Sequence, residues 1–149
     1  MDITESKSQL LRTALAAIDG YNKWDIDAIM APRADHCMQE ILPKSLDRPL
    51  MNNTEYRAYF GKMLPAFKNF TVTIIDVVED PKNHKVVVHA KSTADSVIGL
   101  YANEYMLVFH MTEDDKQVVH VKEFVDSMVS VTLISNIREY LAADRKSVV

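Results

Sequence analysis

The sequence predicts an α+β domain in which a curved antiparallel sheet wraps around N-terminal helices and forms a cone with one central pocket. Two observations carry this prediction: apolar residues recur at helical spacing in the first third of the chain, and β-branched residues alternate with polar ones in the second half. Helices followed by a run of strands are typical of the α+β class. An antiparallel sheet that helices cover on one face can curl into a half-open cone, and the mouth of such a cone suits a small molecule.

Three helices are expected before the sheet and one after it. The first follows the apolar spacing from Leu11 to Tyr21. The second begins at Asp25, a candidate N-cap, and the third begins at Asn52, where Glu55 stands at capping-box spacing. The final helix is amphipathic, and its apolar side contains Ile134, Ile137, Tyr140 and Leu141.

Four strands are expected to form two successive hairpins. They cover residues 70–78, 85–93, 101–112 and 117–131, and a short strand over 37–42 is a further candidate. The first hairpin turns at residues 80–83, where a proline in the second position favours a turn, and the second turns at residues 113–116.

Composition limits the classes of function that this chain can have. Its 149 residues are 48% hydrophobic, which is enough for one core and one domain spanning residues 1–149. The net charge is −4 and the basic residues are scattered among acidic ones, which argues against nucleic acid as a partner. No apolar run approaches the roughly 20 residues that a membrane span needs. The chain begins with polar residues, unlike a signal peptide, so we expect a cytoplasmic protein with no membrane partner.

Sequence patterns typical of cofactor and metal sites are missing. The three glycines stand far apart, so no phosphate-binding loop is present. His84 and His89 would point to opposite faces of a strand, and His110 and His120 lack a third ligand, so we expect no metal and no cofactor. The single cysteine, Cys37, excludes a disulfide framework.

Three segments resemble the nuclear transport factor 2-like fold and, within it, the SnoaL-like polyketide cyclase group: YNKWDIDAIMAPRADHCMQEILP, DVVEDPKNHKVVVHAKSTA and QVVHVKEFVDS. The segment GLYANEYMLVFHMTEDDKQ, together with EFVDS, is similar to small fungal isomerases and cyclases that act on meroterpenoid and polyketide skeletons. The resemblance covers nearly the whole chain and implies one pocket, with Asp126 as its acid. Because the superfamily also contains dehydratases, epoxide hydrolases and domains without catalysis, the resemblance leaves the reaction open.

The last hairpin indicates which side chains face the pocket. If its turn centres on Asp115, then Glu104 lies opposite Asp126 and Met106 lies opposite Phe124, all on one face. Two carboxylates about 5 Å apart cannot both ionise easily, so one would keep its proton near neutral pH. This face would therefore offer a general acid and a general base.

The opposite face of the same hairpin is the alternative, because a slip of one residue inverts every side chain. That face is more apolar and contains Tyr105, Leu107, Phe109, Val119, Val121 and Val125. In that arrangement, Glu123 and Asn103 would be the polar groups of the pocket.

Residues outside the hairpin complete the expected site. His89, in the middle of a strand, is a candidate base or hydrogen-bond donor. Arg33 is a candidate for orienting an anionic oxygen of the substrate. The aromatic residues Tyr56, Tyr59 and Phe60 are expected to cover the pocket or to pack as core.

These observations lead us to expect a cofactor-independent isomerase or cyclase that applies acid–base chemistry to a polyketide- or meroterpenoid-derived small molecule. The expected catalytic residues are Asp126, His89, Glu104 and Arg33, and the expected substrate-binding residues are Asn103, Tyr56, Tyr59, Phe60, Met106 and Phe124. A dehydratase or hydrolase would use the same groups, and a non-catalytic module that binds a ligand or dimerises is the alternative from another class. Because both faces of the last hairpin are substantially apolar, we expect a homodimer.

Overall fold

A computed structural model describes residues 7–146 of the chain, with side chains through residue 144. Three helices precede most of the sheet: α1 (Gln9–Lys23), α2 (Ile26–Met30) and α3 (Asn53–Met63). Each begins at a side chain that accepts a backbone N–H of the first turn, namely Ser8, Asp25 and Asn52. At α3 the Glu55 carboxylate accepts the N–H of Asn52 in return, which confirms the predicted capping box.

Helices α1 and α2 approach each other closely at Gly20. A Cβ at this position would lie 2.7 Å from the carbonyl oxygen of Ala28, which is a backbone atom and cannot swing aside. We therefore expect Gly20→Ala to lower the free energy of unfolding by about 1–3 kcal/mol in urea denaturation. Gly61→Ala in α3 is the control, because nothing lies within 4 Å of a Cβ placed there. That change should raise stability by up to about 1 kcal/mol, and equal effects of the two substitutions would contradict the close approach.

Five strands form one open sheet in the order β1-β5-β4-β3-β2. They are β1 (Arg33–Leu42), β2 (Phe67–Asp80), β3 (Lys85–Ser96), β4 (Gly99–Met111) and β5 (Val118–Val125). The predicted α+β cone fold is confirmed. The sheet is mixed rather than wholly antiparallel, however, because β1 pairs with β5 in parallel. The candidate strand at 37–42 is real and begins four residues earlier, at Arg33.

The fifth strand ends earlier than the sequence pattern predicts. It stops at Val125, and the Asp126 carboxylate accepts the backbone N–H of Met128, which caps the first turn of a helical segment. This segment contains α4 (Ser127–Val129), a π-helical stretch (Ser130–Ile134) and α5 (Ser135–Lys146). The prediction of strand for residues 126–131 was wrong because side chains of this segment, including Val129 and Leu133, pack on a buried cluster instead of pairing with β4. Tertiary packing overrides the strand propensity of the β-branched residues here.

The two faces of the sheet have different environments. The inner face is the one that α1 covers, and it buries Val86, Val88 and Ala90 of β3 together with Phe109 of β4. Nothing among the described residues covers the outer face as α1 covers the inner one; Met106 of β4, for example, keeps 43% of its surface exposed. No helix among the described residues is long and apolar enough to cross a membrane.

Candidate active site

A cavity of about 320 Å³ lies between the inner face of the sheet and the helices. Its walls are mostly aromatic and aliphatic side chains, among them Trp24, Phe60, Phe67 and Phe70. The Trp24 ring stacks on Phe70 with ring centroids 4.2 Å apart, which gives one wall a continuous aromatic surface. Such a cavity favours an apolar ligand skeleton that a few polar groups orient.

The charged residues that line the cavity are three arginines and one glutamate: Arg33, Arg48, Arg138 and Glu123. The 17 basic residues of the chain include both lysines and arginines, but only arginines line the cavity. The cavity therefore carries net positive charge inside a protein whose overall charge is negative. Permanently charged, forked donors are thus concentrated in this apolar cavity.

Glu123 of β5 is the acidic group of this cavity. Its side chain is half-buried, and within the described residues its carboxylate has no hydrogen-bond partner. Burial raises the pKa of Glu123 to about 7, and the charges of Arg33 and Arg48 limit the rise. Both the protonated and the ionised form are therefore populated near neutral pH, so this carboxyl group can either donate or accept a proton.

Arg33 stands at the start of β1 and is held from several sides. Its Nη2 donates to Gln39 Oε1 over 2.6 Å, and its Cζ lies 4.2 Å from the centroid of the Tyr56 ring. Its Nη1 also lies 3.7 Å from the Cys37 sulfur. These contacts fix a positive charge close to Glu123.

Two groups of hydroxyl side chains flank the charged residues. Tyr21 and Tyr56 share a short hydrogen bond, and burial raises the pKa of both phenols, so they stay protonated. On the other side, the Tyr105 hydroxyl bonds Ser92 at 2.7 Å and Tyr101 at 2.9 Å. The second group is completed by Asn103, whose amide donates to the Tyr101 hydroxyl over 2.9 Å. The cavity thus offers two groups of neutral hydrogen-bonding side chains in addition to the carboxyl group of Glu123.

The predicted register of the last hairpin is correct, because Met106 pairs with Phe124 and the backbone N–H of Asp126 donates to the backbone carbonyl oxygen of Glu104 over 3.1 Å. The predicted face is wrong. Met106 and Phe124 are 43% and 51% exposed on the outer face, and Asp126 is exposed and caps a helix. His89 does meet Glu104, with 2.6 Å between Nε2 and Oε2, but on that same outer face.

None of these five side chains lines the cavity. Both faces of the hairpin contain apolar side chains, and the resemblance that implied Asp126 as the pocket acid favoured the face that is in fact the less apolar one. A bulge between His110 and Met111 also shifts the register, so that Val118 is buried at the cavity in place of the predicted Val119.

The other predicted residues do line the cavity: Arg33, Asn103, Tyr56, Tyr59 and Phe60. The alternative polar pair, Glu123 and Asn103, is the one that the cavity brings together. Sequence reasoning missed Gln39, Arg48 and Arg138. Gln39 had a detectable signal in the sequence, because it lies two residues from Cys37 and therefore shares its face of β1. In the structure its side chain is only 1% exposed. Arg48 stands in a loop without any local pattern.

The described part of the chain contains no group of three or more histidine, cysteine, aspartate or glutamate side chains placed to hold a metal ion. His84 pairs with Asp115 and His120 with Glu40, each as an isolated pair outside the cavity.

Several fungal proteins are similar to this chain. Core atranone cluster protein 11 of Stachybotrys chlorohalonatus is 32% identical over 117 residues, which cover 78% of this chain and 87% of that protein. Austinoid biosynthesis cluster protein F of Aspergillus calidoustus is 29% identical over 129 residues, which cover 85% of this chain and 74% of that protein. The crystal structure of BvnE pinacolase from Penicillium brevicompactum matches with a TM-score of 0.83 and 30% identity, over 95% of this chain and 99% of that one.

The names of related proteins differ in the reaction they imply. A relative called monooxygenase AacuP, from Aspergillus aculeatus, is 28% identical over 130 residues, which cover 87% of this chain and 90% of that protein. A putative SnoaL-like polyketide cyclase from Jannaschia sp. is 16% identical with a TM-score of 0.68, over 89% of this chain and 95% of that one, and therefore shares the fold alone. No family model matches the chain.

Proposed function

This chain belongs to the SnoaL-like group of the nuclear transport factor 2-like fold, among proteins of fungal biosynthetic clusters, and from that premise we propose that it is a cofactor-independent isomerase or cyclase. Its substrate would be a polyketide- or meroterpenoid-derived small molecule. The observation that carries this proposal is Glu123, whose pKa of about 7 leaves it ready to take or give a proton inside an apolar cavity.

The ionised carboxylate of Glu123 removes a proton from a carbon next to a substrate carbonyl, which leaves an enolate. A C=C bond beside that carbon makes the enolate a dienolate, and the carboxyl group, whose proton exchanges with solvent, protonates its far end, so the double bond moves and the formula is unchanged. Arg33 supplies a fixed positive charge beside the carboxylate, and the same charge stabilises the enolate oxygen. Asn103 and the flanking phenols are the neutral donors available to other substrate oxygens.

The aromatic walls have two roles in this proposal. They fit a polycyclic apolar skeleton, and they keep water from the enolate, which would otherwise be protonated by solvent. Trp24 contacts both Phe60 and Phe70, and the three rings form a purely aromatic part of this wall.

The test is to incubate the purified protein in heavy water with a panel of polycyclic terpenoid ketones and aromatic polyketide ketones. We expect at least one ketone to give an isomer of equal formula, with solvent deuterium at the carbon that receives the proton. Products that have lost or gained one water would instead favour a dehydratase or hydrolase. Ketones that bind and never change would favour the non-catalytic ligand-binding module.

We also propose a homodimer formed through the outer face of the sheet, where Met106 and Phe124 are exposed apolar side chains. Phe124→Glu should shift the sedimentation coefficient to that of a monomer, because it places a charge in the shared apolar surface. Tyr140→Glu on α5 is the matched control, since Tyr140 is 47% exposed and α5 packs away from this face. A wild-type protein that sediments as a monomer at high concentration would contradict the dimer.

A further inference from the structure

At one side of the cavity, two guanidinium groups donate hydrogen bonds to the same phenol oxygen. The Nη2 atoms of Arg48 and Arg138 both donate to the Tyr59 hydroxyl oxygen, over 3.0 Å and 3.1 Å. The two guanidinium carbons lie 5.4 Å and 5.7 Å from the centroid of the same ring. Two positive charges are thus brought close together around one neutral acceptor.

Among the described residues, the two arginines have no ion-pair partner in direct contact, although the charge of Arg48 acts on Glu123 from a greater distance. The Nε of Arg48 is buried, and no described residue accepts a hydrogen bond from it. Like charges at short range repel, and a buried donor without a partner costs free energy, so the cluster favours a ligand that supplies negative charge and acceptors.

Tyr59 adds a third donor to the same place. Its oxygen accepts from both arginines, and its own O–H has no acceptor within the part of the chain that the structure describes. Burial raises the pKa of Tyr59 to about 12, so the phenol keeps its proton. Two charged donors and one neutral donor therefore stand next to a cavity with aromatic walls.

We infer that the ligand of this cavity carries a carboxylate, and that this carboxylate binds between Arg48 and Arg138 with help from the Tyr59 hydroxyl. Guanidinium forks match the two oxygens of a carboxylate in geometry and charge. The remainder of the ligand is an apolar skeleton that fills the aromatic part of the cavity. This inference rests on the proposed function in one respect, since it takes the same cavity as the substrate site.

Arg33 differs from Arg48 and Arg138 in the partners of its guanidinium group. The guanidinium of Arg33 is already engaged by Gln39 and lies over the Tyr56 ring, so its role is to fix the charge beside Glu123. Arg48 and Arg138 have only the Tyr59 oxygen as a partner in the hydrogen bonds of the described residues. The substrate would thus be held by its acidic end at this cluster while its reacting carbon lies near Glu123.

The experiment compares two probes of the same shape, 2-naphthoate and the neutral 2-naphthamide, by isothermal titration calorimetry of the full chain at pH 8. Hydrogen bonds between charged groups contribute more binding free energy than neutral ones, so naphthoate should bind roughly tenfold or more tightly than naphthamide. Arg48→Met and Arg138→Met should each remove most of this preference while leaving the affinity for naphthamide within about twofold of wild type. The retained naphthamide binding shows that each variant is folded.

Arg57→Met is the matched control, because Arg57 pairs with Asp27 outside the cavity and its loss should leave the preference intact. Arg138→Lys, which keeps the charge and loses the fork, should give an intermediate preference. Equal affinity of wild type for the two probes, or no naphthoate binding at millimolar concentration, would overturn the inference. So would a preference that survives both arginine substitutions.

The outcome is separable from that of the proposed function. A carboxylate preference that depends on Arg48, together with turnover that does not depend on Glu123, would keep the anion site and reject the acid–base mechanism. The reverse pair of results would reject the anion site alone.

Discussion

Replacing Glu123 by glutamine should lower kcat by about 10²–10⁴-fold, because glutamine has nearly the same shape and cannot exchange a proton. Affinity for the substrate should change little, since the carboxylate has no hydrogen-bond partner within the described residues and the cavity walls are untouched. The measurement is steady-state turnover of whichever ketone of the panel is isomerised, with deuterium incorporation as the chemical readout.

The matched control is Asp126→Asn, an equally conservative change of a carboxylate only three residues away. Asp126 is exposed and caps a helix, and asparagine is an equally good N-cap, so turnover should remain at the wild-type level. Loss of turnover in Asp126→Asn with full activity in Glu123→Gln would mean that the catalytic carboxylate is that of Asp126, outside the cavity.

The stability of the wild-type protein should fall as pH rises from about 4.5 through 7, relative to Glu123→Gln. Burial raises the pKa of Glu123 to about 7 in the folded state, from an ordinary value of 4.5. Between these two values the folded state binds more protons than the unfolded state, so unfolding becomes more favourable as pH increases. The contribution present at pH 4.5 and below is lost above pH 7, and it amounts to about 3 kcal/mol.

Urea denaturation of the two proteins at pH 5 and pH 8.5 measures this difference. Burial also lowers the pKa of His110, but this histidine is present in both proteins and its effect cancels. A free-energy difference between wild type and Glu123→Gln that is the same at both pH values would show that Glu123 has an ordinary pKa.

The sequence was sufficient to predict most of the fold because local signals agreed with the final structure. Capping chemistry at Asp25 and at Asn52 with Glu55 marked two helix starts correctly. Turn chemistry fixed the register of the last hairpin, in which Met106 pairs with Phe124 as predicted. These features depend on a few neighbouring residues, which is why they can be read without the tertiary structure.

The cavity face could not be predicted in the same way. Met106 and Phe124 place apolar side chains on the outer face as well, and the positions of the helices, α1 among them, determine which face is covered. The parallel pairing of β1 with β5 joins residues about eighty positions apart, and it has no local sequence signal. Arg48 and Arg138 likewise meet only because a loop and the last helix converge on Tyr59.

The most direct test of the central claim is a ¹³C NMR titration of the side-chain carboxyl groups in protein labelled at glutamate. The Glu123 resonance is assigned as the signal that disappears in Glu123→Gln. We predict a midpoint of about 7 for this signal. A midpoint near 4.5 would mean that the carboxyl group is ionised throughout the neutral range, and that it is not the acid–base group of the cavity.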